Sequence, residues 1–413
     1  MRIVAGRDAA GMVATLAARG KQFGRVERQA KRIVDDVRRG GDPALRRFAA
    51  RWDGLKEKEP LRVSAREMAE SWKSLAPELR SSLRAAAANI RQFCEWQKPR
   101  SWMRKAKGIS LGQAAKPLQS VGCYVPGGRY PLVSTVMMTA IPAQVAGVKN
   151  IRVISPKPSR EVVGAAAMLG VRELYRVGGA QGIAALAYGT KSIPRVDKIV
   201  GPGNAYVTAA KKLVSYDCAI DFLAGPTETV IMADSGNPDF IAADLVAQAE
   251  HDVETLALFI TTARELAQAV SASVDRLAQG NSIAEKSLRK RGAILLASSR
   301  AQACEWANRL ASEHITVTSD QLPFVENAGS IFVGDYSAQA AGDYASGANH
   351  VLPTGGQARF RGGLSVADFM KIITVQKFSK YGLRRIAPTI ECLASAEGLP
   401  GHANSVRVRC ARA

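Results

Sequence analysis

Residues 197–207, DKIVGPGNAYV, join a short β-branched run to a glycine-rich loop and the start of a helical pattern. Runs of the same kind alternate with helix-length patterns at 150–156 (NIRVISP), 173–179 (ELYRVGG), 229–234 (TVIMAD), 256–262 (LALFITT), 293–299 (AILLASS) and 330–335 (SIFVGD). Strands separated by crossover helices form parallel sheets, whose ligands bind at the carboxyl ends of the strands. The sequence therefore predicts an α/β protein with two doubly wound parallel-sheet units.

Three of the predicted strands lead into glycine-rich loops, at residues 121–131 (VGCYVPGGRYP), 176–184 (RVGGAQGIA) and 199–207 (IVGPGNAYV). Such loops let backbone amides approach a phosphate at the start of the next helix. Glycine after a strand is also common in ordinary turns, and none of the loops matches the dinucleotide fingerprint GxGxxG. A nucleotide site and a set of plain turns both remain possible at this point.

The length of 413 residues and the 47% hydrophobic content suit two large domains with their own cores. No apolar run is long enough to span a membrane, and the first residues lack the pattern of a secretory leader. The six cysteines form no CxxC pair, which is typical of reduced cytosolic thiols. We therefore expect a cytoplasmic protein.

The net charge is +21, and residues 1–110 hold 26 lysines and arginines against 12 acidic residues. A basic surface is the electrostatic signature of nucleic-acid-binding proteins, which keeps that function as a remote alternative. The same segment reads as helices with interspersed acids and contains no recognition motif. A solvated basic face that attracts anionic ligands is the preferred interpretation.

Residues 237–254 predict a helix that starts with Asn237 as N-cap and Pro238 at the first helical position and reaches about Glu254. Gln248 and His251 would then share one helical face. Both side chains can bind a metal, and a polar helix end is the alternative reading. The chain has only four histidines, and all of them lie at element ends near a carboxylate or amide. This nitrogen and oxygen environment favours zinc.

The motifs of the chain resemble those of the histidinol dehydrogenase family over nearly its whole length. These motifs are YVPGG (124–128), GGAQGIAALAYGT (178–190), DKIVGPGNAYV (197–207), AGPTE (224–228), QAEHD (248–252), SEH (312–314), GDYASGANHVLPT (342–354) and EGLPGH (397–402). The family implied is a zinc- and NAD-dependent homodimer that oxidises L-histidinol to L-histidine through histidinal.

The resemblance also implies roles for single residues. Glu313 and His314 would be the catalytic pair, and Gln248, His251, Asp343 and His402 the zinc ligands. NAD would contact Tyr124, Gln181 and Asn204. The expected substrate contacts are Thr227, Gln248, His251, His314, Asp343, His350, Glu397 and His402.

The domain organisation expected on this basis has two incomplete Rossmann-like domains with small helical appendages. Residues 25–119 and 225–362 would form the first domain, with most of the metal site, and residues 120–224 the NAD-binding second domain. Residues 1–24 would be an N-terminal helical arm. Residues 363–413 would be a C-terminal helical arm that reaches the site of the partner subunit with Glu397 and His402.

The chemistry of the pair at 313–314 suits a two-step oxidation. A histidine with a pKa near 6.5 can take up and release protons at neutral pH, so His314 suits the removal of a hydroxyl proton in each hydride transfer. Glu313 is placed to activate the water that hydrates the intermediate aldehyde. Dehydrogenases of this fold and motif set also act on other polar alcohols such as sulfonated diols, which remains an alternative substrate class.

Overall fold

The computed structural model describes residues 1–19, 24–127 and 131–411. The strands in this part of the chain are β1 Ile3–Ala5, β2 Trp102–Ala106, β3 Ile109–Pro117, β4 Ser120–Tyr124, β5 Asn150–Ile154, β6 Glu173–Tyr175, β7 Lys198–Val200, β8 Ala219–Ile220, β9 Glu228–Met232, β10 Leu256–Thr261, β11 Ala293–Leu296, β12 His314–Val317, β13 Ser330–Val333 and β14 Met370–Phe378. All seven β-branched runs that the sequence pointed to contain a strand.

The α-helices of the same ranges are α1 Gly6–Ala17, α2 Gly24–Phe48, α3 Ala65–Lys73, α4 Pro77–Gln97, α5 Val133–Ala146, α6 Arg160–Met168, α7 Gly179–Tyr188, α8 Ala205–Val214, α9 Pro238–Ala249, α10 Arg264–Leu277, α11 Ser282–Arg291, α12 Arg300–Leu310, α13 Gln339–Tyr344, α14 Lys380–Ala396 and α15 Pro400–Cys410. Gly41, with φ 54° and ψ −139°, puts a kink in α2 just before Pro43. Residues 1–110 are thus largely helical, as expected. No helix in the described ranges is long and apolar enough to cross a membrane.

Two parallel sheets organise the molecule, which confirms the predicted α/β class. The larger sheet has the order β1-β11-β10-β9-β12-β13, and the smaller has the order β6-β5-β4-β7-β8. All strand pairs within these two sheets are parallel. The central strands β4, β9 and β10 are buried at every residue because crossover helices cover both faces of the sheets, and this explains the continuous hydrophobic runs in the sequence.

The larger sheet separates two hydrophobic layers. Val230 and Leu258 face Trp306 of α12, whereas the alternate residues Ile231 and Phe259 face the layer formed by α9, α10 and α11. Successive side chains of a strand point to opposite faces, so neighbouring residues enter different layers. Packing against helices on both faces of the sheet fixes the position of β9 and β12, whose first residues form the site described below.

The N-terminal segment and the C-terminal segment each contain a strand besides their helices. β1 pairs in parallel with β11 at the edge of the larger sheet. β14 pairs antiparallel with β3, which also pairs with β2, in a separate three-stranded sheet. The appendages expected to be helical are therefore of mixed structure.

The domain boundaries remain a prediction, and the packing of the N-terminal helices bears on them. Residues 25–119 were expected to belong with residues 225–362. In the structure, buried side chains of α2 share a hydrophobic cluster with α7 and α8, and those of α3 and α4 share one with α5 and α6. These helices therefore bury their apolar faces against the helices that cover the smaller sheet.

The helix that precedes β10 is shorter than expected. Asn237 caps α9 by accepting a hydrogen bond from the Asp239 amide at 2.9 Å, as predicted. The helix ends at Ala249 instead of about Glu254, because the Asp252 carboxylate and carbonyl accept the amides of Glu254 and Thr255 at 2.9 and 3.0 Å. His251 thus lies just beyond the helix, and the prediction that it shares a helical face with Gln248 is wrong.

Candidate active site

The Glu-His pair lies between a helix and a strand, which agrees with the prediction that the histidines lie at element ends. Helix α12 ends at Leu310, and Ala311 takes the left-handed conformation with φ 48°. His314 then begins β12 and pairs with Thr229 of β9. Both members of the pair are buried, with Glu313 8% and His314 3% exposed. Burying an acid and a histidine costs free energy unless their charged forms are paired and hydrogen-bonded.

The edge of the sheet that carries this pair differs from the usual one. Ligands of doubly wound sheets usually bind at the carboxyl ends of strands. His314 is the first residue of β12, and Glu228 beside it is the first residue of β9. The candidate site of the larger sheet is therefore at the amino ends of its strands.

The carboxyl group of Glu313 has one hydrogen-bond donor in the described chain. Its Oε2 atom accepts the backbone amide of Glu228 at 3.0 Å. Burial raises the pKa of Glu313 to about 8, although the charge of His314 and this hydrogen bond oppose the shift. A carboxyl group with a pKa near neutrality can both give and take a proton, which suits acid–base catalysis.

The imidazole of His314 lies between two carboxyl groups. Its Nε2 atom is 3.5 Å from Asp343 Oδ1, and its Nδ1 atom is 3.8 Å from Glu313 Oε2. Burial opposes the charged ring, but the interaction with Asp343 and the charge of Glu313 outweigh it and raise the pKa of His314. Nδ1 is buried and has no hydrogen-bond partner within the described residues. The ring of His314 therefore has a carboxyl group within 4 Å of each of its nitrogens.

Three of the four expected zinc ligands come together beside this pair. The Nε2 atom of Gln248 donates to Asp343 Oδ2 at 3.0 Å, and His251 Nδ1 lies 3.2 Å from the Gln248 carbonyl. Burial acts to raise the pKa of Asp343, but the interactions with His314 and the charges of His350 and His251 lower it. Asp343 is thus surrounded by imidazoles.

The fourth expected ligand is not in this cluster. Glu397 follows α14, His402 lies in the first turn of α15, and both side chains are exposed. Within the ranges that the structure describes, no three His, Cys, Asp or Glu side chains are grouped closely enough to hold a metal. One chain therefore brings Gln248, His251 and Asp343 together but leaves His402 apart.

The remaining expected substrate contacts flank the pair. His350 Nδ1 lies 2.9 Å from the Asp343 carbonyl, and its Nε2 atom lies 3.4 Å from Thr135 Oγ1. Burial lowers the pKa of His350, although the charge of Asp343 opposes the shift. Thr227 precedes Glu228 and lines an open cavity together with Arg19 and Gly355.

The three residues expected to contact NAD lie along the carboxyl edge of the smaller sheet. Tyr124 ends β4, and its hydroxyl oxygen accepts the Gly179 amide at 3.3 Å. Gln181 lies in the first turn of α7, and Asn204 caps α8 by accepting the Tyr206 and Val207 amides at 3.0 and 3.1 Å. Residues 128–130 of the first glycine-rich loop lie outside the described residues.

Two acidic residues, Asp53 beside the smaller sheet and Glu228 in the larger sheet, have no role in the sequence analysis. Asp53 accepts the Gly178 amide and the Gln181 side chain at Oδ2, both at 3.0 Å, and so fixes the loop after β6. Burial raises the pKa of Asp53. Glu228 belongs to the quoted AGPTE motif, yet nothing in that motif indicated its contact with Glu313. Their partners lie far away in the sequence, so no local pattern could have revealed them.

The chain matches the model of the histidinol dehydrogenase family over residues 17–410. The chain belongs to the histidinol dehydrogenase family. Its relatives include the histidinol dehydrogenase of Methanothermobacter thermautotrophicus, at 46% identity over 91% of this chain and 92% of the relative. That of Aquifex aeolicus is 45% identical over 93% of this chain and 92% of its own.

A crystal structure of histidinol dehydrogenase from Elizabethkingia anophelis is also similar to this fold. The TM-score is 0.94 at 34% identity, with 99% of this chain and 98% of that chain covered. The likeness to a histidinol dehydrogenase therefore includes the larger sheet, the smaller sheet and the C-terminal arm. Every expected site residue from Tyr124 to His402 lies inside the range matched by the family model.

Proposed function

We propose that this chain oxidises L-histidinol to L-histidine through histidinal, with two molecules of NAD. The observation that supports this most strongly is the cluster at the amino edge of the larger sheet, where Glu313 and His314 adjoin Gln248 and Asp343. Two buried bases beside a set of metal-binding side chains match what a four-electron oxidation of an amino alcohol requires.

The metal proposed for this site is one zinc ion per subunit. Gln248, His251 and Asp343 would hold it together with His402 from the arm of a second copy. The donor set fits, because Gln248 Oε1 and His251 Nε2 have no hydrogen bond within the described residues and remain available as ligands. Amide oxygen, carboxylate oxygen and imidazole nitrogen are ligands that zinc accepts.

The proposed cofactor site lies at the carboxyl edge of the smaller sheet, where Tyr124, Gln181 and Asn204 lie. Open α/β sheets bind dinucleotides at this edge, next to the point where strand order reverses, and here that point is between β4 and β7. When bound, NAD supplies the hydride acceptor and zinc supplies a Lewis acid that binds and polarises the amino alcohol.

The residues of the chain divide the proton chemistry between them. In each oxidation a hydroxyl proton has to leave as hydride departs from the same carbon, and His314 accepts it. Between the oxidations a water molecule has to add to the aldehyde, and Glu313 accepts its proton. The water-excluding setting of both groups makes these transfers effective, since buried charges interact more strongly than exposed ones.

The proposed assembly is a homodimer in which each arm completes the site of the other subunit. The arm carries exposed hydrophobic side chains on β14, α14 and α15, among them Ile372, Ile373, Leu393 and Val408, which are 47–59% exposed. Contiguous exposed apolar surface is typical of protein interfaces. Glu397 and His402 on this arm would then reach the partner's Asp343 cluster.

The wider assignments follow from the same proposal. Of the domain boundaries given above, we propose residues 120–224 as the NAD-binding domain, and helices α2–α4 of residues 25–119 pack on the helices of that domain. A role in histidine biosynthesis supports a cytoplasmic location, and the basic N-terminal helices then serve as a solvated surface and not as a nucleic-acid interface.

An assay with purified protein, NAD, zinc and several polar alcohols tests this function. We expect NADH formation with L-histidinol and little or none with sulfonated diols. Turnover of a sulfonated diol without turnover of histidinol would assign the chain to another substrate, whereas salt-sensitive DNA binding without any turnover would favour the nucleic-acid alternative.

Replacing His251 by alanine is expected to release the metal. The site has four ligands, three of them from the same chain. Loss of one of these three weakens metal binding strongly, because zinc affinity depends on a complete ligand set. Metal analysis after dialysis should show less than about a tenth of the wild-type zinc, with activity lost in parallel. Full zinc occupancy in this variant would contradict the ligand assignment. His350→Ala, which leaves the ligand set intact, is the matched control for metal content.

A further inference from the structure

We propose that Arg19 and Glu228 are positioning residues for Glu313, and that the N-terminal arm thereby takes part in the aldehyde half of the reaction. The inference rests on the proposed function, because it assigns these two residues to the hydration step that Glu313 performs. Neither residue was given a role by the sequence motifs.

Glu228 meets Glu313 through its backbone. The Glu228 amide is the hydrogen-bond donor to Glu313 Oε2, at 3.0 Å. The direction of that N–H group fixes the carboxyl group of Glu313, so whatever holds the backbone of Glu228 also holds the proposed base. Catalytic groups lose rate steeply when displaced, by up to about 10²-fold for a shift of 1 Å.

The side chain of Glu228 adds a second anchor to this backbone, which β9 also holds in register with β10. Glu228 is only 5% exposed, and its two carboxylate oxygens accept hydrogen bonds from Nε and Nη2 of Arg19 at 2.8 and 2.7 Å. Oε1 also accepts the Gly355 amide at 2.9 Å. Burying a second carboxylate beside Glu313 is unfavourable unless a positive charge pairs with it. The bidentate contact with Arg19 provides that charge.

Arg19 also supports Glu313 from the other side. Its Nη2 atom donates to the carbonyl of Leu310 at 2.8 Å, and its Nη1 atom donates to the carbonyl of Leu16 at 2.5 Å. Leu310 is the last residue of α12, and only Ala311 and Ser312 separate it from Glu313. One guanidinium group therefore contacts two groups on which Glu313 depends. The first is the end of α12, which leads into Glu313, and the second is the carboxylate of Glu228, whose backbone amide binds Glu313.

The contact with Gly355 extends the arrangement to the loop of His350. The preceding residue, Thr354, accepts the Gly225 amide at Oγ1, at 2.6 Å. Residues 225–228 and residues 350–355 are thus joined at two points, one of which is the Glu228 carboxylate. Arg19 and Glu228 consequently link the N-terminal arm, the catalytic carboxyl group and a proposed substrate-binding loop.

Single-turnover NADH formation from histidinol and from histidinal separates positioning from general stability. Glu228→Gln keeps the shape and the backbone amide but loses the charge pairing, and Arg19→Lys keeps the charge but loses the two-pronged geometry. We expect both variants to slow the histidinal step about 10- to 100-fold and the histidinol step less than about threefold. Melting temperatures report whether each variant is folded. If Glu228→Gln does not fold, Arg19→Lys tests the same contact.

Arg359 offers a matched control. It donates to the carbonyls of Ala17 and Arg309, at the ends of the same two helices, but does not contact Glu228. Arg359→Lys should therefore leave the ratio of the two steps unchanged. A change of this ratio equal to that of Arg19→Lys would show that bracing of the helix ends, and not the contact with Glu228, is responsible.

A double-variant cycle gives the decisive result. If Arg19 and Glu228 act through Glu313, then Glu228→Gln should slow the histidinal step in the wild-type background and have almost no effect in Glu313→Gln. An equal slowing in both backgrounds, or equal slowing of both half-reactions, would overturn the inference. Failure of the wild-type protein to oxidise histidinol or histidinal would instead overturn the proposed function.

Discussion

Replacing Glu313 by glutamine is expected to slow the oxidation of histidinal by about 10²–10⁴-fold, the amount that a positioned base contributes. The amide keeps the shape of the side chain and can still occupy the space beside the Glu228 amide. It cannot accept a proton from water, so hydration of the aldehyde loses its base. The oxidation of histidinol to histidinal should survive at least in part, because His314 remains to take the hydroxyl proton.

The variant His314→Asn is the comparison for Glu313→Gln, because the two variants are expected to affect the two half-reactions differently. Each hydride transfer oxidises an O–H group at the same carbon, so loss of His314 should slow both half-reactions by a similar factor. NADH measured in a single turnover, once from histidinol and once from histidinal, reports the two steps separately. Equal loss of both steps in Glu313→Gln would mean that water activation does not belong to Glu313.

Ending the chain at Ala396 is expected to abolish turnover while NAD binding is retained. The deletion removes Glu397 and His402, which the proposed dimer needs in the partner's site. The NAD contacts proposed at Tyr124, Gln181 and Asn204 lie on the smaller sheet and remain. Equilibrium binding of NAD and steady-state turnover of histidinol measure the two effects. Normal turnover by the shortened chain would exclude the arm from the site.

Mixed dimers show whether the arm acts in the partner subunit. A shortened chain retains Glu313 and His314, and a full-length His314→Asn chain retains its arm. If arms are exchanged, coexpression of the two inactive chains should restore activity at one site of each mixed dimer. No recovery would contradict the exchange. Full-length Glu397→Gln and His402→Asn serve as smaller changes, because removal of α15 also removes the ion pair of Arg407 with Glu391 at 3.1 Å.

The parallel sheets could be predicted from the sequence because their strands are buried on both faces. β10, for example, is buried at every residue, and its hydrophobic run stands out between two helical patterns. The antiparallel sheet gave no such signal. β2 is exposed along its whole length, and β14 pairs with a strand more than two hundred residues earlier. The turn between β2 and β3 uses Lys107 and Gly108 at positive φ, where the usual Asn-Gly signal of a hairpin is absent.

The same contrast applies to the site. Glu313, His314, Gln248 and Asp343 occur in motifs whose order along the chain could be compared with a family. That the site lies at the amino edge of the larger sheet goes against the general rule for α/β sheets, which favours the other edge. The contact of Arg19 with Glu228 joins residues 209 positions apart, and only the folded chain brings them together.

The stoichiometry of NADH formed per histidinol consumed tests the central proposal most directly. Purified protein with zinc and excess NAD should form two NADH for each L-histidinol, and L-histidine should be the product. Formation of a single NADH with accumulation of histidinal would contradict the four-electron oxidation assigned to Glu313 and His314. Absence of any NADH from histidinol would contradict the assigned substrate.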